Sequence, residues 1–484
     1  MKKHICRLGL LLICVIIAGC GGGGGSHVSY PVSDSTSVFA LNNGIAVDLA
    51  FFSRKKVHTL IASIPADKPE GNQLYKGNLS SYQLITSALG NDNNLSESSV
   101  LSDNIRRGLL ASQTVSGLEQ AAKDMFLRHI ENEILGRRLK QLPKSQSYLK
   151  SAPPEIQVGT EWNNVYVNDV PVNLTCRYIS QFAYLFVDNR NVAQMEQYMA
   201  DYGQAFDAIY IMMRSKFGSE NDVDGNGKII IVFSQELSGG LLGYFYAVDK
   251  FPKIYFPNSN QGDIIYITTT SMYQGEFVKA TLAHEFQHMI YFDEHYNQGV
   301  YTMYTWLNEA LSQAAEYYSG YTLLQQYRIR EFLKGEYSGL SLTYWTDYNY
   351  GYCAIFIRYL IDQYQDQVIR KLCTTSKVGI AAVEEATGTD FNVIFANFAR
   401  ALVMSGTGDS TDEKYQFKTL DLKAIQAEGR GGLISTVSNI NGNATYSDEI
   451  CPYGMAFYSL TSNVKTIKLN WKGSIQGVGF ALNR

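Results

Sequence analysis

The stretch 282–294 reads LAHEFQHMIYFDE. It holds His284 and His288, four residues apart, with Glu285 directly after the first. On a helix, residues four apart lie one turn above each other on one face. Two imidazoles so placed can meet one metal ion, and Glu285 can reach a water bound to it. Zinc lowers the pKa of its water towards neutrality, and a nearby carboxylate then takes the proton. An ordinary half-buried helix could carry the same string. Leu282, Ala283, Phe286, Met289 and Ile290 give such a helix an apolar surface to bury. Two imidazoles do not complete a zinc site, so a third ligand has to come from elsewhere.

The residues after the string narrow the source. Metzincins place a glycine three residues beyond the second histidine and a third histidine three further on. Here those positions hold Tyr291 and Glu294, and His295 is one residue late. Aspzincins place a ligand aspartate soon after the second histidine; a partial echo of their pattern, at 347–351, is far too distant. The better candidate is Glu309, 21 residues after His288 in WLNEALSQAAEY, on a second predicted helix. A carboxylate from a second helix completes a tetrahedral site with one open position. The plain alternative is a solvated surface glutamate.

The string Asn308-Glu309-Ala310-Leu311-Ser312 resembles the gluzincin arrangement of thermolysin-like enzymes. Those enzymes follow the serine with an aspartate that supports a ligand histidine; this chain has Gln313 there. An amide accepts a hydrogen bond from imidazole but is a weaker partner. Glu316, two helical turns past Glu309, could take over that role or could simply be exposed. AHEFQHMI followed by WLNEALSQAAEY, with GGLLGYFYAVDKF and DVDGNGK upstream, resembles the hyicolysin family of bacterial metallopeptidases over 155–400. The resemblance implies a secreted or surface zinc endopeptidase. It implies His284, His288 and Glu309 as ligands and Glu285 as the catalytic base.

Amide hydrolysis also needs a donor for the tetrahedral oxygen. Thermolysin-like enzymes use histidine and tyrosine, but no histidine follows His295. Tyr348, Tyr350 and Tyr352 stand just before a predicted helix, and Tyr350 is the choice, by likeness to the donor tyrosine of related aminopeptidases. A separate turn, Asp222 to Lys228, begins like an EF-hand loop, with Asp222, Asp224 and Asn226 at positions one, three and five. Phe233 stands where a bidentate glutamate belongs, and a helix-to-strand turn needs such residues anyway. Ca2+ is therefore a secondary candidate beside Zn2+.

The elements that must position these residues follow from the rest of the chain. Residues 1–19 combine a short basic start with an apolar run too short to span a bilayer. Ile17-Ala18-Gly19-Cys20 resembles a lipobox, which implies cleavage before Cys20 and acylation of its thiol. Residues 20–40, opening on GGGGGSH, read as a flexible tether. Residues 41–150 read as an N-terminal domain or pro-region of mixed strands and helix, with a long amphipathic helix over 114–142. The catalytic region is 155–408, and 410–484 reads as a β-rich C-terminal domain. The expected fold class is α+β: a zincin-like domain, with a mixed sheet and active-site helices, flanked by those two regions.

The formal charge is −4 and no basic tract stands out, so nucleic acid is not an expected partner. The 34 tyrosines suit wet, strand-rich surfaces. Cys176, Cys353, Cys373 and Cys451 remain in the mature chain, enough for two disulfides in an oxidising compartment. The expectation is a lipid-anchored zinc endopeptidase, outside the cytoplasm on a cell surface or in a periplasm, acting on proteins or peptides. The rival reading is a non-proteolytic surface-binding lipoprotein on a metallopeptidase scaffold.

Overall fold

The computed structural model describes residues 155–483 with breaks. Of the preceding chain it describes 38–41, 46–48, 56–72, 80–88, 96–98, 123–124, 126–127 and 130–135. The signal-peptide and lipid-anchor readings lie outside the described residues, as does most of the helix expected over 114–142.

Five early strands are β1 (Val38–Leu41), β2 (Ala46–Asp48), β3 (Lys56–Ile64), β4 (Ser80–Ala88) and β5 (Ser96–Ser98). β1 begins inside the stretch read as tether. The central region contributes β6 (Glu161–Val167), β7 (Val170–Ile179), β8 (Ala183–Asp188), β9 (Ile229–Ser234), β10 (Gly243–Phe245) and β11 (Ile264–Thr268). They form one mixed sheet in the order β10-β11-β9-β8-β7-β6. β8, β9 and β11 run parallel, while β10 is an antiparallel outer strand on β11.

The sequence of β9, IIIVFS, explains its central place. Every residue of it is buried. Ile229, Ile231 and Phe233 enter one apolar cluster, and Ile230 and Val232 enter another. A parallel strand covered on both faces reads as a continuous apolar run, as this one does.

The helices pack on the first of those faces. They are α1 (Met199–Lys216), α2 (Glu276–Asn297), α3 (Thr305–Ser319), α4 (Leu323–Lys334) and α5 (Asn349–Tyr364), then α6 (Gln367–Thr374), α7 (Gly379–Thr387) and α8 (Phe391–Met404). α2 carries the His-Glu-x-x-His string and lies against β10, β11, α1 and α3. It is buried almost all round from Val278 to His295, which makes it a core helix. α3 stops at Gly320, whose φ of 82° suits a residue without a side chain.

The last strands are β12 (Ser438–Ile440), β13 (Ala444–Ile450), β14 (Met455–Thr461), β15 (Val464–Lys472) and β16 (Gln476–Asn483). They interleave with the early strands in two sheets, β1-β16-β3-β14-β12 and β2-β15-β4-β13-β5. The regions read from sequence as 41–150 and 410–484 therefore pair strand by strand. Alternation marks each strand locally but does not name a partner nearly four hundred residues away. Ala62 and Ile64 of β3 join Met455 and Phe457 of β14 in the apolar cluster of the helices. The architecture is mixed α+β. Cys176, Cys353, Cys373 and Cys451 are all buried free thiols, so the two disulfides allowed by their number are not formed. No described helix is long and apolar enough to cross a membrane.

Candidate metal centre

α2 and α3 bring three side chains to one point. His284, His288 and Glu309 are buried, and one ligand atom of each lies within 4.8 Å of the others. His284 Nε2 is 3.2 Å from Glu309 Oε2, and His288 Nε2 is 3.4 Å from Glu309 Oε1. Donors at about 2.0–2.1 Å from one ion in a tetrahedron stand about 3.3–3.4 Å apart. The nitrogen-to-carboxylate separations thus fit a single small ion, and two imidazoles with a carboxylate are a donor set that zinc accepts.

The outer side of each ring is held. His284 Nδ1 meets Glu316 Oε1 at 2.8 Å, and His288 Nδ1 meets Asn308 Oδ1 at 3.0 Å. With an acceptor at each Nδ1, the proton of a neutral ring sits there, and the Nε2 lone pairs face the centre. Glu316 is itself fixed, since Gln313 Nε2 donates to it at 2.8 Å and Arg328 at 2.9 Å. Gln313 thus occupies the expected aspartate's place without its task, and Glu316, one turn on, takes the task. Burial pushes the His284 imidazole down, but hydrogen bonds to Glu309 and Glu316 outweigh it and raise it to about 10. So many carboxylates favour a cation among the donors, either a proton on His284 or a metal ion in its place.

Glu285 is buried on the same helix. It faces Gly243 of β10: a Cβ built on that glycine would lie 3.2 Å from Glu285 Cγ and 2.9 Å from the Tyr266 carbonyl oxygen. The outer strand therefore runs hard against α2 at the glutamate, and only glycine allows that approach.

Tyr350, at the start of α5, stands with its ring centroid 6.4 Å from that of His284. Arg328 lies 4.2 Å above its ring, and its hydroxyl donates to Asp124. Tyr352 instead donates to the Tyr453 carbonyl at 2.8 Å and serves the core. Tyr348 lies outside the described residues. Sequence reasoning named Asn308 within the motif but gave it no role, and it missed Arg328 and Asp124. The place of Asn308 beside Glu309 could have suggested one; Arg328 and Asp124 carry no local signal.

The acidic turn is separate. Asp222, Asp224 and Asp263 place carboxylate oxygens within 4.8 Å of one another. Asp222 accepts from Gly225 and Gly227, Asn226 Oδ1 accepts from Lys228, and Asp263 accepts from Val223. Burial and the charges of Asp263 and Asp222 push Asp224 up to about 7. These bonds are what a tight helix-to-strand turn requires, and they assign no ion.

The fold and the site define a class. A His-Glu-x-x-His helix and a glutamate from the next helix meet beside the outer strand of a mixed sheet, which is the arrangement of a metallopeptidase. No family model matches the chain. The chain is similar to the neutral metalloprotease ShpI of Staphylococcus hyicus, at 31% identity over 150 residues. The match covers 27% of this chain and 34% of that protein, so it spans about a third of the relative's length. Site and likeness together support a metallopeptidase.

Proposed function

We propose that the protein is a zinc-dependent endopeptidase, tethered outside the cytoplasm through an acylated Cys20, that cleaves proteins or peptides. The observation that carries the reading is the meeting of His284, His288 and Glu309 beside Glu285. His284, His288 and Glu309 would hold the metal. When bound, zinc supplies an acidified water and polarises the scissile carbonyl.

The chain's own groups do the rest. Glu285 accepts the water's proton and later delivers it to the leaving amine nitrogen. Substrate lies extended beside an edge strand within 241–270, as in β-augmentation. The Tyr350 hydroxyl donates to the oxygen on which charge develops. Glu316 and Asn308 keep the two rings from turning, so the donors are arranged before the ion arrives.

Metal analysis of the purified mature protein, with casein hydrolysis before and after dialysis against a chelator, tests the proposal. Zinc near one per chain and chelator-sensitive cleavage are expected. A protein that cleaves casein equally well without metal, or binds none, would overturn it.

A further inference from the structure

Arg328 joins two parts of the site that lie on different helices. It stands in the second turn of α4, between α3 and α5 in the chain. Its guanidinium donates to Glu316 Oε1 at 2.9 Å and lies 4.2 Å over the ring of Tyr350. Glu316 Oε1 is the same oxygen that meets His284 Nδ1 at 2.8 Å. The Tyr350 ring is in turn 6.4 Å from the His284 ring. Buried Trp345 meets the tyrosine ring nearly at right angles, with centroids 4.8 Å apart. The approach of α4 to α5 is built in at the next residue. A Cβ on Gly351 would run into the Arg328 carbonyl oxygen and stand 2.6 Å from Phe332 Cβ. A glycine after Tyr350 is what lets this turn of α4 pack so close.

Both contacts suit a guanidinium. Glu316 is buried, and a buried carboxylate needs a countercharge. Arg328 supplies one from outside α3. A planar guanidinium can donate to a carboxylate with its N–H edge while its face covers an aromatic ring. An ammonium is a point charge on a flexible stem and does not fix both partners at once.

We propose that Arg328 is a positioning residue for the proposed peptide hydrolysis: one guanidinium sets both the carboxylate that orients His284 and the tyrosine ring beside it. The metal side and the oxyanion side of the site are thereby set together. The proposal rests on the peptidase reading for its kinetic consequence, whereas its effect on metal affinity stands without that reading.

The test compares the full mature chain with Arg328→Met, Arg328→Lys, Glu316→Ala and the double variant Arg328→Met with Glu316→Ala. Competition with a chromogenic chelator gives zinc affinity, and labelled casein at saturating zinc gives kcat and KM. Arg328→Met should weaken zinc binding about tenfold. The double variant should bind zinc no more weakly than Glu316→Ala, because the arginine reaches the metal through that carboxylate. At saturating zinc, kcat of Arg328→Met should still fall about a hundredfold with KM within about twofold of the parent, through the loosened tyrosine. Arg328→Lys should recover most of the zinc affinity and little of kcat. Unchanged zinc affinity in a folded Arg328→Met chain overturns the hold on His284. A raised KM with kcat kept would make Arg328 a substrate contact and overturns the positioning role. Zinc affinities that fall as stated, in a parent chain that cleaves no casein, keep the hold on His284 and sink the peptidase reading instead. If Arg328→Met does not fold, Arg328→Lys carries the comparison, and parent values of both zinc affinity and kcat in it overturn the proposal.

Discussion

His284 Nδ1 and Glu316 Oε1 lie 2.8 Å apart across two helices, and Gln313 and Arg328 hold the same carboxylate oxygen from either side. A ring held this way keeps one orientation and one tautomer. Replacing Glu316 by alanine should weaken zinc binding about 10–100-fold, as removal of such supporting groups does. Competition with a chromogenic chelator measures it. Unchanged affinity would show that Glu316 fills space and does not hold the ring.

Glu285→Gln separates chemistry from metal binding. The amide keeps the shape of the side chain but cannot accept the proton. Casein hydrolysis should fall by about two to four orders of magnitude, the range of positioned proton transfer, while zinc content stays at the parent level. Retained hydrolysis at full zinc occupancy would remove Glu285 from the mechanism.

Gly243→Ala probes the seam between β10 and α2. The new Cβ would stand 2.6 Å from Thr281 Cγ2, 2.9 Å from the Tyr266 carbonyl oxygen and 3.2 Å from Glu285 Cγ. A backbone carbonyl does not step aside cheaply, and such overpacking costs about 1–3 kcal/mol. A lowered melting temperature together with slower hydrolysis is expected. A variant equal to the parent in both would mean that the strand and helix yield freely.

Lys250 is buried between Asp263, at 2.7 Å, and Asp293. Burial pushes the ammonium pKa down, but the two carboxylates outweigh it and hold it above its usual value. Lys250→Met leaves both acids buried without their cation, which costs about 3–5 kcal/mol in comparable cases. Denaturant unfolding would register this, and a loss well under 1 kcal/mol would contradict it.

Glu70 gives stability a pH dependence. Its Oε2 accepts from Trp306 Nε1 at 3.1 Å and Ile380 N at 2.9 Å, tying the early chain to α3 and α7. Burial raises its carboxyl from 4.5 to about 7, against the lowering effect of those bonds. The folded state therefore binds this proton more tightly than the unfolded state does. Its contribution is complete below about pH 4.5 and is lost as pH rises through about 7. Glu70→Gln should flatten that slope in melting temperature against pH. An identical slope in the variant would place the titrating group elsewhere.

Much of the site was legible because it is local. The His-x-x-x-His spacing matches the helix period, so its two rings share a face in any helix that forms. IIIVFS declares a strand covered on both faces by its lack of alternation. Glu316 could be nominated but not chosen, because its side chain lies on α3 and the ring it holds lies on α2. The four cysteines could be counted, but their number said nothing about distance, and the fold buries each as a thiol.

The sequence by itself determined the His-Glu-x-x-His string, its helical spacing and the alternation of strand and helix through the central region. Only the tertiary structure decided that Glu316 and not Gln313 supports His284. It alone decided that strands from the two ends of the chain interleave, and that Asp124 occupies the hydroxyl of Tyr350. The physical reason is the same in each case. Helical and strand periods are written in neighbouring residues, whereas these contacts join elements far apart in the chain and exist only once the packing brings them together.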